Sequence, residues 1–156
     1  MISANVKQWI EIAGGVALIA SLGLLVIEIR QNTDAVSAQA VSDLNHQANE
    51  SNLAVALNPE FAELFVRLEA NHPGSLSATD QRRGEFFLRG FFNRLYTAHT
   101  FYQRGIFSEV DYEGWLRTAC DVLKHEGPAR FWADNRPFEN PEFAHDVDSH
   151  CKQPPS

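Results

Sequence analysis

Near the carboxyl end, His145-Asp146-Val147-Asp148-Ser149-His150-Cys151 gathers imidazoles, carboxylates and a thiol into seven positions. These are the donors zinc accepts, through nitrogen, sulfur and oxygen. Their spacing matches no closed four-ligand site, so a solvated tail is the plainer reading, with residues 150–156 as a polar terminus. His46, His72, His99 and His125 are scattered, and none stands four residues from another as a helical metal pair requires. The chain has no Cys-x-x-Cys-His for covalent haem, no phosphate-cradling glycine loop and no Gly-x-Ser-x-Gly nucleophile elbow. The expectation is therefore a protein without catalytic residues, cofactor or metal, and not an enzyme.

Three other side chains invite a chemical reading. By helical count Arg94 falls among Phe87, Gly90, Ala98 and Phe101, on an apolar face. A buried guanidinium needs a carboxylate or several carbonyls, because leaving it unpaired costs several kcal/mol. Arg94 is thus one half of a buried ion pair, with Asp43, Glu50 or Asp111 as the partner, a ligand for an anion, or a side chain that snorkels to the edge and matters little. Trp115 and Trp132 are aromatic anchors on neighbouring short helices, more simply core residues than walls of a small apolar pocket. Cys120 lies in an amphipathic stretch and reads as a small core residue, whereas Cys151 falls in the polar end. Two cysteines are too few for a disulfide scaffold; a bond between them would need an oxidising compartment, and nothing in the spacing requires it.

The elements that position these residues read as all-α. Ile12–Ile27, IAGGVALIASLGLLVI, is the only segment that wants to leave water. With Trp9, Ile10 and Ile29 it approaches the ~20 apolar residues of a bilayer span. Glycines at 14, 15 and 23 weaken a soluble helix by ~1 kcal/mol each but are routine in membrane helices. A signal peptide competes, since Lys7 and the small-x-small string Ala38-Gln39-Ala40 fit one. Glu11 spoils its basic region, however, and Glu28, Arg30 and Asp34 make its last region too long. We therefore take residues 1–30 as a single-pass anchor. Ala13, Ala17, Ala20, Ser21 and Leu24 place small residues along one side, a helix–helix docking face by which another membrane protein or a second copy can approach.

Past Arg30 the predicted domain spans 31–149. The first helix continues without a break to Leu57, ~40 Å of further helix, with Val36, Ala40, Leu44, Ala48 and Val55 as its apolar stripe. Pro59 begins a second helix. Ser77 or Thr79 caps a third, with Phe87, Phe91, Leu95, Ala98, Phe101 and Tyr102 as its apolar face and Gly105 as its stop. Ser108 caps a fourth. Gly127-Pro128 opens a short fifth, and Pro141 starts a last turn. The result is a long helix packed with three to four shorter ones in a small bundle.

The segment VIEIRQNTDAVSAQAVSDLN, Val26 to Asn45, resembles a recurrent pattern in uncharacterised bacterial membrane-anchored proteins: an apolar helix, then Ile-Arg-Gln-Asn-Thr, then an amphipathic helix. Asn58-Pro59-Glu60, Tyr102-Gln103, Gly114-Trp115 and Phe131-Trp132 follow in the same order. That resemblance implies a bacterial inner-membrane protein and carries over no activity. It also implies a cytoplasmic domain, through basic residues after the motif that are Asp34 and Ser37 here.

Charge narrows the partners. The part after Arg30 holds eleven Lys and Arg against eighteen Asp and Glu, so the net −7 falls there. Such a surface repels phosphate backbones, so nucleic acid is not expected as a partner. The sequence as a whole predicts a membrane-anchored helical interaction protein, an accessory or assembly subunit of a larger inner-membrane complex. The alternative is a membrane-tethered sensor whose helical domain binds a small apolar or anionic ligand.

Overall fold

The computed structural model describes residues 4–70 and 76–152 and is all-α, with no strand among the described residues. Helix α1 runs from Ala4 to Leu57 without interruption. Five shorter helices follow: α2 (Pro59–Ala70), α3 (Ala78–Gln103), α4 (Glu109–Leu123), α5 (Glu126–Asn135) and α6 (Pro141–Lys152), with a 3-10 turn at Arg136–Phe138 between the last two. The chain divides into two compact units, Met1–Ser42 and Asp43–Ser156.

In the first unit, the apolar stretch of α1 is long enough and hydrophobic enough to cross a membrane, with a mean hydropathy of 1.8 over its best window. None of that window is buried against protein. The docking-face residues Ala13, Ala17, Ala20, Ser21 and Leu24 are all exposed. The one hydroxyl among them is satisfied within the helix, since Ser21 Oγ donates to the Ala17 carbonyl at 2.9 Å. That back-bond is how a serine avoids an unpaired polar group in an apolar setting.

In the second unit the helix ends are set by local chemistry. Asn58 Oδ1 accepts from the Phe61 amide at 3.1 Å and caps α2, with Pro59 in its first turn. Ser77 caps α3 by accepting from the Asp80 amide. Ser108 and Asp111 form a reciprocal capping box on α4. Gly105 ends α3 at φ +69°, where a side chain would be strained. Its amide donates to Tyr102 O and that of Ile106 to Phe101 O, the paired bonds of a Schellman stop. Phe107 then packs edge-on to Phe101 at 5.5 Å.

The core is built on α3, but its buried stripe is Gly84, Leu88, Phe92, Leu95, Ala98 and His99. The expected face shares only Leu95 and Ala98 with it; Phe87, Phe91, Phe101 and Tyr102 flank the stripe half-buried. Two features account for the rotation. Gly84 admits the Leu68 side chain of α2 so closely that an added Cβ would lie 2.7 Å from Leu68 Cδ1. At the other end a histidine occupies a core position because it finds polar partners there. On α1, Leu44 of the second unit is buried, whereas Val36, assigned to the same stripe from sequence, is 61% exposed.

The largest departure lies at the carboxyl end. Residues 141–152 form a helix of three turns instead of a last turn and polar tail, and its Phe143 and Val147 are fully buried. Asn140 caps this helix by accepting from the amides of Glu142 and Phe143. The signal was available in the sequence: Asn-Pro-Glu-Phe-Ala occurs at 58–62 and again at 140–144, and both copies open a helix in the same way.

Candidate functional site: a polar network beneath the last helix

Helix α6 places two aspartates and a cysteine against α3, α4, α5 and the 3-10 turn. Asp146 faces α3 and α4. There His99 Nδ1 lies 3.0 Å from Tyr112 Oη and 3.2 Å from Asp146 Oδ2, and Tyr112 donates to the same carboxylate oxygen at 3.3 Å. His99 and Tyr112 are almost completely buried. One proton arrangement satisfies all three contacts: the imidazole protonated at Nδ1, donating to the phenol oxygen and the carboxylate, with the phenol proton on Asp146. Tyr102 stacks on Tyr112 with centroids 4.8 Å apart and covers its outer face.

Asp148, half a turn on, accepts from the indole of Trp132 at 2.9 Å and pairs with Arg136. Trp132 lies against Phe92 at 4.8 Å and meets Phe143 edge-on at 5.7 Å, so it is a core residue with its N–H satisfied. Trp115 is half-buried. Cys151 is bonded to Cys120 of α4, with Cα atoms 5.0 Å apart, and no cysteine is free. No group of three metal-competent side chains assembles among the described residues. Three of the five donors in the run that looked like a metal site, Asp146, Asp148 and Cys151, thus tie one helix down. Ser149 donates to the His145 carbonyl of its own helix.

Burial, reinforced by the Asp146 carboxylate, raises the Tyr112 phenol above its ordinary value of 10.0. The folded state thus holds this proton more tightly than the unfolded chain. The stabilisation is complete below pH 10 and is lost as pH rises above it toward the folded-state value. We expect alkaline titration to weaken the wild-type fold above pH 10 more steeply than that of Tyr112→Phe. Denaturant midpoints at a series of pH values check this, and parallel curves for the two proteins would refute it.

Arg94 finds no ion pair among the described residues. Of its expected partners, Asp111 is engaged in the α4 capping box and Glu50 contacts His46 at 3.4 Å. The guanidinium lies back over its own helix, with Nη1 3.6 Å from where a Cβ on Gly90 would stand. Desolvation by burial lowers its pKa. A half-buried charge without a carboxylate contributes little to stability, and its stem is what packs. Arg94→Met is therefore expected to leave the thermal midpoint unchanged or to raise it slightly. A clear fall in a circular-dichroism melt would contradict this.

Clefts adjoin these elements, one of about 480 Å³ lying beside Gln103, Pro141, Glu142, His145 and Asp146. Another, of about 230 Å³, is bounded by Tyr102, Glu109, Tyr112, Glu113, Asp146 and His150. A larger one of about 690 Å³ lies between α2 and α3, with Phe61, Leu64, Phe86 and Phe87 as its apolar wall and Arg67, Arg83, Asp80, Glu60 and Glu63 at its charged side. Neither Trp115 nor Trp132 lines any of these. The chain matches no family model, no curated protein and no solved structure.

Proposed function

We propose that this protein is a membrane-anchored helical interaction protein, an accessory or assembly subunit of a larger complex in a bacterial inner membrane. One observation carries the reading: the apolar part of α1 is exposed along its length, with Leu18, Ile19, Leu24 and Ile29 each more than half exposed to solvent. Such a surface is too apolar to face water and needs lipid or another helix against it. The Ala13–Ala17–Ser21 side is the place where a neighbouring helix fits, since small residues let backbones approach closely. The compact second unit, with its acidic surface, then presents itself at one face of the bilayer.

The test is purification of the full chain from native membranes in mild detergent, followed by sizing and identification of whatever travels with it. A stoichiometric membrane partner lost on Ala17→Leu supports the proposal. A strictly monomeric chain without companions refutes it.

A second reading, a tethered sensor of a small apolar or anionic ligand, draws on the α2–α3 cleft. Its volume is that of a small-molecule site, and it sets phenylalanines beside two arginines that pair with Asp80, with Glu60 and Glu63 also in its lining. Binding of an amphiphilic anion such as anilinonaphthalene sulfonate, abolished by Phe87→Glu, would favour it. Indifference to that substitution would count against it.

A further inference from the structure

We propose that Cys120 and Cys151 are a site of thiol–disulfide exchange, cross-linked on the oxidising, extracytoplasmic side of the membrane by a protein disulfide oxidant, and that the helical domain resides there. The inference rests on the membrane reading above and sharpens it by assigning a side. The two cysteines are the only ones in the chain, so neither has a competing partner within it. They come from separate helices, 31 residues apart, and their Cα atoms stand 5.0 Å apart, within the range a disulfide spans. Both are half-buried and not sealed in the core, so an incoming disulfide can reach them as α6 docks. The ties one to two turns ahead of Cys151 on the same helix, from Asp146 and Asp148, bring the thiols into register before the bond closes.

Disulfides of this kind persist in exported domains and are reduced in the cytosol. Lys7 and Arg30 leave the charge rule evenly balanced across the span, so charge does not oppose the assignment. An apolar first helix is also the type of segment that delivers the following domain across a bilayer, whether it is kept as an anchor or removed. The assignment reverses the cytoplasmic placement implied by the sequence resemblance, whose basic residues are missing at Asp34 and Ser37.

The thiolate of one cysteine attacks a sulfur of the oxidant's disulfide, forming a mixed disulfide and expelling one oxidant thiolate. The second cysteine's thiolate then attacks its partner's sulfur, closing Cys120–Cys151 and releasing the oxidant as a dithiol. Two thiols lose two electrons and two protons, and the oxidant gains them.

The experiment uses the full chain in bacterial cells, quenched in acid and alkylated with a polyethylene-glycol maleimide before and after reduction. We expect no mass shift before reduction and two additions after it. In cells lacking the extracytoplasmic thiol oxidase, two additions should appear without reduction. Spheroplasts treated with an impermeant protease should lose the domain. Free thiols in oxidase-competent cells, or a domain protected from the protease until the membrane is permeabilised, would overturn the proposal. Carbonate extraction of the same membranes separates the two readings: an oxidised, protease-sensitive chain that washes off refutes the anchor and leaves the disulfide assignment standing.

Discussion

Phe143→Ala is expected to destabilise the folded domain by about 3–5 kcal/mol, the range for truncating a fully buried phenylalanine. The ring has no exposed surface and lies at the meeting point of three aromatic neighbours, Tyr96 at 5.4 Å, His99 at 5.6 Å and Trp132 at 5.7 Å. The size of the effect depends on whether the walls can collapse into the space, and here they are held. His99 is tethered to Tyr112 and Asp146, and Trp132 is tethered to Asp148. Moving either ring inward would stretch a hydrogen bond already satisfied in a low-dielectric setting, so the cavity stays open. For a unit of this size, such a loss lowers the thermal midpoint by more than about 10 °C. A circular-dichroism melt of the detergent-solubilised chain measures it, and a loss below about 1 kcal/mol would mean that α6 is not part of the core.

The contrast between that helix and the others shows which parts of the fold are written locally. Pro59, Ser77, Gly105 and Ser108 were legible because caps and stops act over three or four residues: Ser108 needs only the amide and carboxylate of Asp111. The uncharged run in α1 was legible because hydrophobicity needs no partner to be recognised. The reading failed where a residue's role depends on what another helix brings to it. His99 was set aside as scattered, yet it occupies the core stripe of α3 because Asp146 arrives from 47 positions further on to share its proton. Asp148 and Cys151 looked solvated because aspartate and cysteine in a short polar stretch carry no sign of the indole or thiol awaiting them. Arg94 is a different case, because one of its three readings fits the observed position. Its helical angle predicts partial burial, and a long side chain can meet that without an ion pair by lying along its own helix. The core role of Trp132 was the plainer of its two readings, and the structure gives its N–H the acceptor such a residue needs.

Loss of the Cys120–Cys151 bond is the second change expected to act strongly. A cross-link closing a loop of 31 residues restricts the unfolded chain enough to contribute about 3–4 kcal/mol in the chain-entropy account. The double substitution Cys120→Ala, Cys151→Ala should therefore lower the denaturant midpoint by a corresponding amount. The native contacts of α6 do not all depend on the bond. Phe143 and Val147 remain apolar and fitted, and Asp146 and Asp148 keep their partners on α3, α4, α5 and the turn at Arg136–Phe138. The variant should accordingly fold, with near-native helical content, and unfold earlier. Its weakness should be uneven, because the last turn of α6, beyond Asp148, is held mainly by the sulfur bridge. Hydrogen exchange should speed up most at residues 149–152 and least along the centre of α3, where Leu88 and Leu95 stay sealed. Adding reductant to the wild-type protein should reproduce the shift and leave the double variant unmoved. A midpoint insensitive to both treatments would show that the bridge restrains nothing in the unfolded chain, and the polar ties from Asp146 and Asp148 would then be sufficient to hold α6 in place.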